Sequence, residues 1–127
     1  MEARPVADLE VSVTEERGIW VVTVVGDVDV SNAAKLRDAL DRVLANGESR
    51  LVVDLCRVSF MDSTGLGILV GRLKVVRARR GSMRLLCVAP RLLRVLSITG
   101  LDTVFPLHET LADAVAALSS SPLGEGC

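Results

Sequence analysis

Aromatic side chains are almost absent: Trp20, Phe60 and Phe105 are the only ones in 127 residues. That shortage argues against a stacking platform for single-stranded nucleic acid. Charge of one sign is lacking too. The formal net charge is -1, which leaves no electrostatic footprint for a phosphate backbone, so no nucleic acid partner is expected. No apolar run approaches the length of a membrane span, and no membrane partner is expected either. The first residues, Met1 to Pro5, lack the charged-then-apolar plan of a secretion signal, which points to a cytoplasmic protein. Cys56, Cys87 and Cys127 show no metal-ligand spacing and leave an odd thiol under any single pairing. Cys56 and Cys87 lie in or beside apolar runs and are expected as small core residues, without a redox role.

Cofactor and enzyme signatures are missing as well. There is no Gly-Lys-Ser/Thr phosphate loop. The glycines at 65, 67 and 71 are spaced one residue too long for a dinucleotide fingerprint. No acid stands near residues 85–88, where a ribose partner would be needed. Ser63, the lone His108 and an aspartate make a triad only on paper. Gly-x-Ser-x-Gly is absent, and His108 follows Pro106 and Leu107 in what reads as a surface turn. No metal, no cofactor and no catalytic residue is expected.

What is present is apolar and periodic. Half the residues are hydrophobic, ample for one core in a chain the size of one domain. Residues 9–14 alternate apolar and polar, as in a half-buried strand. A polar turn leads to residues 19–25, β-branched and nearly all apolar, as in a strand covered on both faces. The pair reads as an antiparallel hairpin with a loop of about three to five residues. Residues 26–32 break the pattern. Ser31 or Asn32 can cap a helix carrying Leu36, Leu40, Val43 and Leu44, with Gly47 suited to its left-handed end. Residues 51–55 form the next buried strand, completing a βαβ unit whose strands run parallel.

The longest predicted helix follows Asp62, with Leu66, Leu69, Val70, Leu73 and Val76 on its inner face. Arg77, Arg79 and Arg80 make a solvated basic end to it. Residues 84–88 read as a strand. Pro90 opens a helix with Leu92, Val95 and Leu96 inward, and Gly100 closes it. Residues 104–107 are a short extended piece. Thr110 and Asp113 resemble a capping box for a last helix carrying Ala114, Val115 and Leu118. The fold class is therefore α/β, a mixed sheet of about five strands flanked by about four helices. The chain reads as a single domain with its core at residues 8–118 and a frayed tail over 119–127.

The segment from Phe60 to Gly67, Phe-Met-Asp-Ser-Thr-Gly-Leu-Gly, carries the most information. Asp62, Ser63 or Thr64 caps the helix that follows. If the βαβ unit is parallel, Asp27 and Asp29 follow the carboxyl end of one strand and Ser63 that of the next. Both loops then open on the sheet edge where α/β folds place their sites. A serine exposed at a helix start suits phosphorylation, because free N–H groups and the helix dipole accommodate a phosphate. Gly65 and Gly67 lack side chains and let a partner's backbone approach.

The run from Val58 to Gly71, Val-Ser-Phe-Met-Asp-Ser-Thr-Gly-Leu-Gly-Ile-Leu-Val-Gly, closely resembles the phosphorylation motif of bacterial anti-sigma factor antagonists, the single-domain STAS proteins. Gly26-Asp-Val-Asp29 resembles that family's Gly-Glu-Ile-Asp loop, with Asp27 in place of the commoner Glu. Residues 98–105 and the last helix resemble its C-terminal end, so the likeness spans roughly residues 8–118.

The resemblance implies a STAS-like fold and a partner-switching cycle. The unphosphorylated antagonist binds an anti-sigma factor that is also a serine kinase, freeing a sigma factor for transcription. The kinase phosphorylates the serine after the motif's aspartate, here Ser63, which ends the interaction, and a serine phosphatase restores it. Thr64 is a candidate second acceptor. By position, Asp62, Thr64, Gly65, Leu66 and Gly67 flank the site, and Gly26, Asp27, Asp29 and Ser31 contribute to the docking face. The rival within the same fold is an unphosphorylated STAS adaptor subunit of a transporter or signalling assembly. Ile68 and Val75, on outer helix faces, are open to a partner or to a weak homodimer.

Overall fold

The computed structural model describes residues 9–86 and 88–119. The elements are β1 (Glu10–Glu16), β2 (Ile19–Val25), α1 (Ala33–Ala45), β3 (Arg50–Arg57), α2 (Ser63–Ala78), β4 (Ser82–Leu86) and α3 (Pro90–Thr99). A 3₁₀ turn (Leu101–Thr103), β5 (Leu107–His108) and α4 (Leu111–Ser119) complete them. This is the expected order. Cys87, Cys127 and, apart from Ser119, the expected frayed tail lie outside the described residues.

The strands lie side by side in chain order, β1 antiparallel to β2 and the others parallel. Each parallel strand is added on the same side of its predecessor. Right-handed crossovers therefore place α1, α2 and α3 on one face of the sheet and leave the other for α4. Two apolar clusters result. Val22, Leu51, Val53 and Leu85 pack with Leu36, Leu40, Leu69 and Leu96 on the three-helix face. Ile19, Val21, Val52 and Leu86 pack under Ala114, Val115 and Leu118 of α4. That division explains why residues 19–25 read as a doubly covered strand.

Several local expectations are corrected. The hairpin loop has two residues, because Arg17 and Gly18 both take positive φ (57° and 80°) and ladder pairing continues to Glu16–Ile19. Two left-handed residues match the twist of the flanking strands. Val95 is exposed, because α3 sits beside a two-residue strand and covers it along one stripe, Leu92 and Leu96. Leu66 and Val70 are half-buried, while Gly65 takes a buried place on α2. Cys56 is exposed, since β3 runs past the helices there. The basic end of α2 is exposed as expected, and two of its arginines are also tied to the fold. Arg79 Nη1 donates to the Leu44 carbonyl at the end of α1 (2.7 Å) and Arg77 Nη2 to the Val104 carbonyl (3.2 Å). His108 lies in β5, half-buried, not in a surface turn. Arg72 and Asp41 form a two-pronged ion pair, both contacts 2.9 Å, joining α2 to α1. That pairing holds the Asp41 carboxyl below its usual value.

Candidate functional site

Because β2 and β3 are parallel neighbours, the loops after them emerge together at one sheet edge. Their backbones then bond directly. Gly26 N–H donates to the Arg57 carbonyl (3.1 Å), Val28 N–H to the Phe60 carbonyl (3.0 Å), and Asp62 N–H to the Val28 carbonyl (3.0 Å). Val28 and Met61 thus form an isolated parallel bridge, and both side chains are buried. Asp27 completes the tie. Its Oδ1 accepts from Ser59 Oγ (2.9 Å), Phe60 N–H (3.1 Å) and Ser59 N–H (3.3 Å).

The neighbouring loop is self-contained. Asp29 Oδ1 accepts from the Ser31 hydroxyl (2.6 Å) and the Ser31 N–H (2.9 Å). The Ser31 hydroxyl, then its N–H, hold the Asp29 carboxyl below the ordinary carboxylate value. Asn32 stands at the N-cap position of α1, but its side chain makes no cap bond. It turns back, accepting from Asp29 N–H (2.9 Å) and donating to the Asp27 carbonyl (3.0 Å). The expected capping position is right, and the side chain serves the loop.

At α2 the cap is Asp62, whose Oδ1 accepts from Thr64 N–H (2.9 Å) and Gly65 N–H (3.2 Å). Ser63 is thereby the first helical residue, exposed, and its hydroxyl makes no hydrogen bond among the described residues. Thr64 is exposed beside it, and Leu66 is half-buried one turn in. The two glycines divide their roles. A Cβ on Gly65 would lie 2.5 Å from Met61 Cγ and 2.8 Å from Val28 Cγ1. Its missing side chain therefore serves internal packing, which replaces the expectation that it opens the surface to a partner. Gly67 is exposed with open space around it.

Two residues that sequence reasoning passed over also belong to this edge. Val30 is 76% exposed and Phe60 43%. Val28 and Met61 take the inward positions, which leaves these apolar side chains facing solvent on either side of the tied loops. Each loop carries a second apolar residue, Val28 or Met61, so no signal in the sequence says which of them faces outward.

Among the described residues, no group of three or more His, Cys, Asp or Glu is placed to hold a metal ion. A cavity of about 810 Å³ lies elsewhere, lined by Cys56, Pro90, Leu107 and His108 among others, and includes none of the residues around Ser63. There Arg84 Nη1 lies 2.9 Å from His108 Nε2. Burial, then the Arg84 charge, push His108 below its ordinary pKa, while Asp113 opposes them. No helix among the described residues is long and apolar enough to cross a membrane.

A tied double loop presents a free hydroxyl at a helix start, over a mixed sheet with helices on both faces, and defines an α/β domain with its candidate site at the sheet edge. The chain belongs to the STAS domain family, whose model matches residues 10–114. It is 36% identical over 100 residues to the anti-sigma-B factor antagonist of Bacillus subtilis (strain 168), covering 79% of this chain and 91% of that protein. It is 28% identical over 112 residues to the anti-sigma F factor antagonist of Paenibacillus polymyxa, covering 87% and 96%. The crystal structure of an anti-sigma factor antagonist from Mycobacterium paratuberculosis superposes with a TM-score of 0.82 at 33% identity, covering 92% of this chain and 98% of that one.

Proposed function

We propose that this protein is an anti-sigma factor antagonist, acting as one STAS domain in the cytoplasm. Its unphosphorylated form binds an anti-sigma factor that is a serine kinase, so that a sigma factor is released. The observation that carries the reading is the free, exposed Ser63 hydroxyl on the first residue of α2, with Asp62 taking the cap. The names of its relatives support the same reading.

The chain supplies an acceptor, and the partner supplies the catalysis. Ser63 Oγ attacks the γ-phosphorus of ATP in the kinase. The Oγ–P bond forms, the bond to the ADP oxygen breaks, and the hydroxyl proton passes to a base on the kinase. Asp62 engages the N–H groups of Thr64 and Gly65, so the Ser63 N–H and the helix dipole remain to accommodate a phosphate. The domain therefore stays folded on modification, and the effect falls on the interface. The phosphate adds about two negative charges beside Asp27, Asp29 and Asp62. Switching binding from nearly complete to nearly absent takes about 5.5 kcal/mol of differential affinity. Like-charge contacts and a lost desolvated contact each cost several kcal/mol. A serine phosphatase resets the cycle.

The test is intact-mass and phosphopeptide analysis after incubation with the anti-sigma kinase of the same genome and ATP. A single phosphate on Ser63, coupled to release of the kinase, is expected, and Ser63→Ala abolishes it. Binding that ATP leaves unchanged, with no phosphate gained, would instead make the protein a silent adaptor with Ser63 as an ordinary helix residue.

A further inference from the structure

Between Asp62 and Asp102 the chain has no Asp or Glu, although Lys and Arg recur through α2, β4 and α3. Four of these cations are engaged within the fold: Arg72 by Asp41, Arg77 and Arg79 by backbone carbonyls, and Arg84 by His108. On α3, Arg91 and Arg94 are exposed and form no hydrogen bond or ion pair among the described residues. Val95 (37% exposed) and Ile98 (78% exposed) join them. Positions 91, 94, 95 and 98 follow the i, i+3, i+4, i+7 pattern of one helix face, opposite the buried Leu92 and Leu96. The stripe therefore carries two arginines toward the start of the helix, which nothing in the described fold neutralises, and two apolar side chains toward its end. Arginine beside apolar side chains is the composition of protein interfaces, and its planar fork suits carboxylates.

Position ties this face to Ser63. α2 and α3 each follow a parallel strand, so both begin at the carboxyl edge of the sheet. Leu69 and Leu73 of α2 share one core cluster with Leu92 and Leu96 of α3. A partner seated over Ser63 can therefore reach the first turns of α3 on the same side of the sheet.

We propose that the outer face of α3 is a second docking surface for the same kinase, gripping an acidic strip of that partner through Arg91 and Arg94, with Val95 and Ile98 packing against it further along the helix. The inference rests on the partner-switching reading above. It divides the interface into a part at Ser63 that the phosphate disrupts and a part on α3 that it leaves intact.

The test measures binding of the full chain to the anti-sigma kinase, by calorimetry over a salt series, for wild type, Ser63→Glu, Arg91→Glu/Arg94→Glu and Ile98→Ser. Thermal melting confirms that each variant is folded. Charge reversal on α3 is expected to weaken binding about tenfold or more and to flatten its salt dependence, with Ile98→Ser weakening it to a smaller extent. If Ser63→Glu abolishes binding while the α3 variants bind like wild type, the α3 surface is overturned and the switch stands. If the α3 variants bind weakly while Ser63→Glu binds like wild type, the switch fails and the α3 surface stands. Wild-type sedimentation with phosphatidylglycerol vesicles, lost in the charge reversal while kinase binding is unchanged, would assign the face to a lipid surface and overturn the proposal.

Discussion

The two halves of the sheet are finished differently at their carboxyl edge. At β2 and β3 the loops are joined by three backbone hydrogen bonds and by one Asp27 oxygen with three donors. At β4 and β5 the strands share only two residue pairs, α3 buries a single stripe, and a cavity opens beside Pro90 and His108. Local stability follows the density of buried contacts and protected hydrogen bonds. The first half therefore holds Ser63 on a stiff mount, while the second leaves apolar and cationic side chains facing solvent.

The largest expected effect compares the two ends of the three-helix core. Leu40 and Leu96 are both fully buried, yet Leu40→Ala is expected to cost about 3–5 kcal/mol and Leu96→Ala about 2–3, because the thinly covered α3 can settle into the space. Urea denaturation measures both, and equal losses would break the contrast.

Next comes the mount itself. Gly65→Ala forces a methyl onto Met61 and Val28 and should cost about 1–3 kcal/mol, while Gly67→Ala, in open space on α2, should stabilise by about 0.5–1. A neutral Gly65→Ala would show that Met61 yields freely. Asp62→Ala removes the cap on α2, about 1 kcal/mol. It should also speed amide exchange at Thr64 and Gly65, and unchanged exchange would deny Asp62 its capping role. Asp27→Ala should loosen Ser59 and Phe60 by a similar measure, whereas Asp27→Asn keeps an acceptor oxygen and should do less.

The smallest effect is one of pH, and it lies in the looser half. His108 is held below its ordinary value of 6.5, so the unfolded chain binds the proton more readily than the folded one. Stability from this group is present above pH 6.5 and is lost as pH falls from there through the folded value. His108→Gln should remove that part of the slope in a pH series of melting temperatures. An unchanged slope would place the titration elsewhere.

Legibility tracks the same division. The order of elements was readable because periodicity is local. Residues 19–25 lack the alternation of a half-buried strand, and the Thr110–Asp113 cap is formed, with Asp113 N–H donating to Thr110 Oγ1 at 3.1 Å. Val95 was misread inward because helical spacing indicates a face without saying how wide the cover over it is. The turn of Asn32 back to its own loop was hidden because the Asp29 N–H outcompetes the helix N–H groups for its Oδ1, while the Asp27 carbonyl accepts from its Nδ2. Val30 and Phe60 were missed because only the Val28–Met61 bridge decides which of the loop's apolar residues point outward.

The sequence by itself determined that a polar cap and a hydroxyl would stand at the start of a periodic helix, and that alternating strands and helices would put that start at a sheet edge. Both follow from spacing over a few residues. Only the tertiary structure decided that Asp62 takes the cap and Ser63 stays free, and that Asp27 clamps a loop 32 residues away. It also decided that the arginines of α2 find partners within the fold while those of α3 find none among the described residues. The clamp and the arginine contacts depend on which groups distant in the chain meet in space, and at the cap hydrogen-bond geometry chooses among neighbours that local pattern leaves equivalent.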